Sequence, residues 1–134
     1  MNESLIDTDI LSYFLKGDKK VLKNFENYIS NFSSINISII THFEIVSGLQ
    51  YRKAAKQLSQ FEKFANSCII LPLTKESSHL SSFLYAYLRT NGKLIDDIDL
   101  LIAGIALENN LTLVTNNEKH FKRIKELRVE NWLK

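Results

Sequence analysis

Three acids in this sequence stand where an acid has chemistry to do. Asp7 follows the apolar run that ends at Ile6, Glu44 comes soon after an isoleucine-rich run that ends at Ile40, and Asp99 opens the segment Leu100–Leu107, which is apolar almost all round. An acid at the head of a helix buried on several sides needs a partner, because an unpaired charge out of water is costly. Mg²⁺ is a partner that fits: it takes oxygen ligands, keeps several waters and needs only a few convergent carboxylates. Such an ion lowers the pKa of a water, polarises a phosphodiester and orients it for in-line attack. It also reverses the charge that carboxylates alone would turn toward a phosphate. Each acid has a plainer use as well. Asp7 can be a turn or cap residue, Glu44 can close a capping box with Thr41, and Asp99 can complement the positive end of its helix dipole.

Other polar residues surround these three in sequence. Asp9 reads as a first-turn helix acid that can help orient Asp7, and Asp97 as a helix cap or an outer neighbour of Asp99. His42, His79 and His120 have no triad-like partner in the sequence and read as surface or packing residues. Lys119, Lys122, Arg123 and Lys125 form a basic cluster able to contact phosphates, or simply a solvated helical face.

The elements that must position these groups alternate between two periodicities. Ser4–Ile6 reads as a short buried strand, and Ile10, Leu11, Phe14 and Leu15 then keep helical spacing up to Gly17. A second helix is expected over Lys19–Ser30, a strand over Ser34–Ile40, and helical texture from Thr41 to about Ala65. Cys68–Leu71 reads as a third strand closed by Pro72, and Thr74 caps a helix running to about Arg89. Gly92 ends that helix, Asp96 or Asp97 caps Ile98–Glu108, and Leu111–Val114 is the next strand. A short basic helical stretch and a strand near Arg128–Glu130 finish the chain. Strands alternating with helices predict an α/β fold in three layers, with a central, mostly parallel sheet of about four or five strands. In such sheets ligands bind beyond the carboxyl ends of the strands. Asp7, Glu44, Asp99 and Asn117 are all predicted on that edge.

Composition narrows the setting. The 134 residues suit one domain, and no repeat, low-complexity tract or Gly/Pro-rich linker divides them. Cys68 is the only cysteine, which excludes an internal disulfide and thiolate clusters and fits a reducing cytoplasm. The acidic start and short apolar runs predict neither secretion nor membrane insertion. A net charge of +2 permits an anionic partner without the strong basicity of a dedicated nucleic-acid binder.

Taken together, the motifs resemble those of the PIN-domain nucleases, and within them the toxins of VapBC type II toxin–antitoxin systems. Leu5-Ile-Asp7-Thr-Asp-Ile-Leu11 is similar to the first motif, with Asp9 where Asn is frequent. Ser38-Ile-Ile-Thr-His-Phe-Glu44-Ile-Val-Ser-Gly48 is similar to the second, Asp97-Ile-Asp99-Leu-Leu-Ile-Ala-Gly104 to the third, and Leu113-Val-Thr-Asn-Asn117 followed by Phe121 to the fourth. The ending Leu127–Trp132 resembles toxin C-termini. The resemblance implies one PIN domain over residues 1–134, a site for Mg²⁺ or Mn²⁺, endoribonuclease action on RNA, a homodimer, and inhibition by a cognate antitoxin. It places Asp7, Glu44 and Asp99 on the family's acidic triad and Asn117 where many members carry a fourth acid. Asn117 hydrogen-bonds but has no charge, which favours one held ion over two.

Two other readings remain open on the sequence. A PIN-like fold without turnover would bind RNA or protein only. Asp7-Thr-Asp9 also resembles the nucleophile motif of haloacid-dehalogenase-like phosphatases, with Asp7 forming an aspartyl-phosphate. In that family, however, the Thr/Ser and Lys motifs precede the acidic pair, whereas Thr115 follows Asp96-Asp97 here. Leu11 also stands where Thr or Val completes their first motif.

Overall fold

The computed structural model describes residues 1–134. The first apolar run forms strand β1 (Ser4–Ile6), buried at every position. Asp7 ends it and caps helix α1 (Thr8–Leu15), its Oδ1 accepting from the Thr8 amide at 2.8 Å. Gly17, at φ +82°, turns the chain out of α1 at a conformation other residues resist. Asp18 then caps α2 (Lys19–Asn31) by accepting from the Lys20 and Val21 amides.

Strand β2 is shorter than its isoleucine content suggests. It covers only Asn36–Ser38, and α3 already runs over Ile39–Tyr51. The cause is Ser38, whose hydroxyl accepts from the Thr41 amide at 3.0 Å and so caps the helix three residues earlier than expected. The capping box between Thr41 and Glu44 therefore does not form; Thr41 is buried within the first turn. The helical texture from Thr41 to Ala65 also divides. Lys53 adopts φ +55° between α3 and α4 (Ala55–Asn66).

Strand β3 (Ile69–Leu71) is partly exposed, with half-buried Cys68 just ahead of it. Helix α5 (Lys75–Thr90) begins with a capping box made by Thr74 and Ser77. Helix α6 (Asp97–Glu108) follows Asp96, which occupies the cap position without a side-chain capping bond. Strand β4 (Thr112–Val114), the short helix α7 (Glu118–Phe121) and strand β5 (Val129–Glu130) complete the chain.

All five strands pair in parallel in the order β3-β2-β1-β4-β5. From the central β1 the chain builds outward through β2 and β3, then crosses back to lay β4 and β5 on the other side. The order therefore reverses between β1 and β4, and a crevice at that switch point is where a parallel sheet takes its ligand.

Helices cover both faces, giving the expected three layers. On one face, Leu84 and Leu88 of α5 pack with Leu100, Ile102 and Ile105 of α6 and with Phe121. On the other, Ile10, Val21, Phe25, Tyr28 and Phe61 pack with Trp132, which meets the Phe25 ring edge-on at 5.2 Å. Helices α5 and α6 pack tightly against each other at Gly104. A Cβ there would lie 2.1 Å from Ser81 Oγ and 2.5 Å from the Ser77 carbonyl. Ser81 also donates to the Leu100 carbonyl at 2.7 Å, fixing the height of α6 and hence of Asp99. No helix is long and apolar enough to cross a membrane.

Candidate metal centre

The four residues expected on one edge are brought to the carboxyl ends of the strands, with the switch point at their centre. Asp7 follows β1 and is 6% exposed. Its amide donates to the Val114 carbonyl at 2.9 Å, and its Oδ2 accepts from the Thr115 hydroxyl at 2.8 Å, so the adjacent strand holds both its backbone and its carboxylate. Glu44 reaches the same region from α3. Freed from any capping role, its Oε1 accepts from the Thr8 hydroxyl at 2.6 Å, and Thr8 Oγ1 lies 2.9 Å from Thr41 Oγ1. Asp99, in the first turn of α6, accepts from the Asn117 side-chain amide at 3.4 Å. Asn117 is also 3.0 Å from His120 Nδ1, and its backbone amide donates to Thr115 Oγ1 at 3.0 Å.

Asp9 is more involved than a first-turn acid need be. Its Oδ1 accepts from the Ile10 amide and its Oδ2 from the Asn116 amide at 3.0 Å, joining α1 to the loop after β4. Asp97, by contrast, is exposed at the first position of α6. His42 pairs with Glu62 at 3.3 Å between α3 and α4, and His79 is exposed, as a surface or packing role requires. In the basic cluster, Lys122 pairs with Glu118, and Arg123 donates to the Lys93 and Leu94 carbonyls, so two of its four cations are engaged locally.

The electrostatics show acids lacking a counter-charge. Burial, then the neighbouring Asp9 charge, pushes the Asp7 carboxyl up to about 7, against the opposing hydrogen bonds from Thr115 and Thr8. Asp9 is raised chiefly by burial. Asp99 is raised by burial, then by the charges of Asp96 and Glu44, with His120 acting the other way. The ion pairs of the protein are His42–Glu62, Lys122–Glu118 and Lys134–Glu118, so none of these acids is paired with a cation. No three Asp, Glu, His or Cys side chains are gathered tightly enough to clasp an ion as they stand. Hydroxyls instead hold Asp7 and Glu44 separately. The donor set still fits Mg²⁺ or Mn²⁺: it is oxygen-only, anionic and partly desolvated, and Mg²⁺ binds through one or two carboxylates while keeping its waters.

The hydroxyl partners Thr8, Thr41 and Thr115 carried little signal in sequence beyond their closeness to acids in Asp7-Thr-Asp9 and Thr115-Asn-Asn117. His120 carried none. Beside Glu44, a groove of about 400 Å³ runs between α1, α3 and α4, with Lys16, Arg52, Gln57 and Gln60 among its lining residues.

Comparison with known proteins agrees with this architecture. Residues 4–127 match the PIN domain. The ribonuclease VapC2 of Rickettsia felis is 33% identical over 129 residues, covering 96% of each chain. The ribonuclease VapC1 of Methanocaldococcus jannaschii is 32% identical over 127 residues, covering 91% of this chain and 81% of the relative. The crystal structure of VapBC2 from Rickettsia felis, bound to a DNA fragment from its promoter, superposes with a TM-score of 0.87 at 32% identity, covering 96% of this chain and 98% of that one. The chain belongs to the PIN-domain family, in its VapC branch.

Proposed function

We propose that this chain is a Mg²⁺-dependent endoribonuclease, with Mn²⁺ able to substitute, and the toxin of a type II toxin–antitoxin pair. The observation that carries the reading is the group of partly desolvated, mutually repelling carboxylates, Asp7, Asp99 and Glu44, without a cation beside the switch point of the sheet. Repulsion of this kind is relieved by a divalent ion. Asp7, Glu44 and Asp99 hold that ion, and Asn117 completes the set as a neutral member, so that one ion is held. When bound, the ion supplies Lewis-acid stabilisation of a phosphodiester and a more acidic water.

The protein's own part is placement. Thr115 fixes Asp7 and opposes the rise in its pKa by donating to it, Thr8 fixes Glu44 by donating to it, and Asn117 donates to Asp99. The carboxylates stand on three separate elements, so a phosphodiester entering over the strand ends meets them together. Residues 1–134 act as one PIN domain in the cytoplasm, as a homodimer, restrained by a cognate antitoxin whose gene is expected alongside. Kinship with the ribonucleases VapC2 and VapC1 and with VapBC2 supports both the RNA substrate and the partner.

The test is RNA cleavage by the purified chain with Mg²⁺ or Mn²⁺. Cleavage is expected to cease with chelator and in Asp7→Asn and Asp99→Asn, while both variants stay folded. Cleavage that persists in both, free of contaminating nuclease, would falsify the site. A folded wild type that neither binds the ion nor cuts RNA would instead be a binding module.

A further inference from the structure

Asn117 lies between a group that can only accept a hydrogen bond and a group that can do either. Its side-chain nitrogen is 3.4 Å from Asp99 Oδ2 and 3.0 Å from His120 Nδ1. The nitrogen of the amide, not its oxygen, faces Asp99, so the carboxylate accepts from its N–H₂. Of the two hydrogens on that nitrogen, one serves Asp99 and the other is directed at the imidazole. In the neutral imidazole, His120 Nδ1 then accepts, which selects the tautomer carrying its proton on Nε2. The chemistry of one carboxylate thus sets the orientation of an amide and, through it, the tautomer of a histidine.

The remaining atom of the amide is its carbonyl oxygen. It has no protein partner, and since no buried side-chain nitrogen or oxygen in the protein lacks a hydrogen bond, that oxygen must reach open space. The two anchors are unequal. The contact to Asp99 is long, and the contact to His120 is short. Without His120, only a 3.4 Å bond would resist rotation of the amide, and the reversed orientation would set its carbonyl against Asp99. Neighbouring groups hold His120 and Asn117 in register: Phe121 is fully buried next to His120, and the Asn117 amide is tied to Thr115 Oγ1.

We propose that His120 is a positioning residue that fixes the Asn117 carboxamide with its N–H₂ on Asp99 and its carbonyl open to water or to a hydroxyl of the substrate. His120 acts through Asn117. The position that carries no charge is thereby given one defined acceptor and one defined donor. The catalytic consequence rests on the ribonuclease reading, whereas the contact itself does not.

The experiment separates the two. In the metal-free, substrate-free full chain, the two side-chain amide protons of Asn117 are followed by ¹H–¹⁵N NMR. One is expected to be displaced by its bond to the imidazole, to lose that displacement in His120→Leu, and to regain it in His120→Asn, which returns an acceptor near the position of Nδ1. In cleavage assays, His120→Leu is expected to lower kcat about tenfold, the scale for partners that orient a metal-site group, with KM and melting temperature unchanged, and His120→Asn to recover most of the loss. Amide protons unmoved by His120→Leu overturn the proposal, as do equal kcat values in the Leu and Asn variants. A wild type that cuts no RNA removes the ribonuclease reading and leaves the contact to be judged by its NMR signal.

Discussion

Thr115 donates its hydroxyl to Asp7 Oδ2 at 2.8 Å, although the two residues lie 108 positions apart. The bond runs between the ends of adjacent strands and acts on the most deeply buried acid of the site. Thr115→Val keeps the branched shape and removes the donor. A hydrogen bond to a charged group is worth about 1.5–3 kcal/mol, so the Asp7 titration is expected to move upward by about one to two pH units. Carboxyl ¹³C shifts followed against pH check this; an unmoved titration would show that Thr115 does not hold the charge.

Stability should vary with pH in a defined direction. Asp7 is raised from 3.8 to about 7, so the folded chain retains a proton that the unfolded chain releases between those values. Folding is then most favoured below the lower value and loses that contribution as pH rises through the higher one. Asp9 and Asp99, also raised, act in the same sense. In chelator, urea denaturation is expected to show wild type falling behind Asp7→Asn as pH climbs from about 4 to about 8. Added Mg²⁺ or Mn²⁺ should recover stability in wild type and much less in the variant. A wild type that gains stability across that range would contradict the assigned burial of Asp7.

Two glycines should respond oppositely to alanine. At Gly104 a Cβ meets Ser81 Oγ at 2.1 Å and a backbone carbonyl at 2.5 Å, so helices α5 and α6 must part. Overpacking of this kind costs about 1–3 kcal/mol. At Gly48 the nearest atom is Arg52 Nη1 at 3.7 Å, an ordinary contact. Gly48→Ala is expected to stabilise α3 by up to about 1 kcal/mol, the helix preference for Ala over Gly. Urea midpoints of the two variants should fall on opposite sides of wild type.

The start of α3 can be tested in the same way. Ser38→Ala removes the observed cap and is expected to cost about 1 kcal/mol. Glu44→Gln takes no part in that cap and should leave stability near wild type while abolishing RNA cleavage. Equal destabilisation by the two changes would return Glu44 to the helix terminus.

The edge that gathers the acids was legible because it was written locally. Short apolar runs followed by Asp7, Thr41 and Thr115 marked where strands give way, the second overshooting the true end of β2 at Ser38, and the apolar character of Leu100–Leu107 marked Asp99 as an acid in need of a partner. Three features could not be read this way. Ser38 and Thr41 are both competent caps, and only the packing of Thr41 into the interior chooses between them. The break at Lys53 has neither glycine nor proline to announce it. Thr8–Glu44 and Thr115–Asp7 join residues 36 and 108 positions apart, so the hydroxyl partners exist only once the sheet has formed. His120 lay beyond reach for the same reason: nothing near it in sequence states that Asn117 will turn toward Asp99.

The place of β1 has a consequence in time. It precedes the other four strands in the chain and lies in the middle of the sheet, yet its register partners on one side are Thr112, Leu113 and Val114. A chain emerging from the ribosome displays Asp7, Glu44 and Asp99 before it contains the strand that aligns them. Non-local pairing gains nothing until the late partner arrives, so truncated chains ending before residue 111 should carry every acid and no working centre. The acids of the candidate centre are thus expected to be aligned only once β4 pairs with β1.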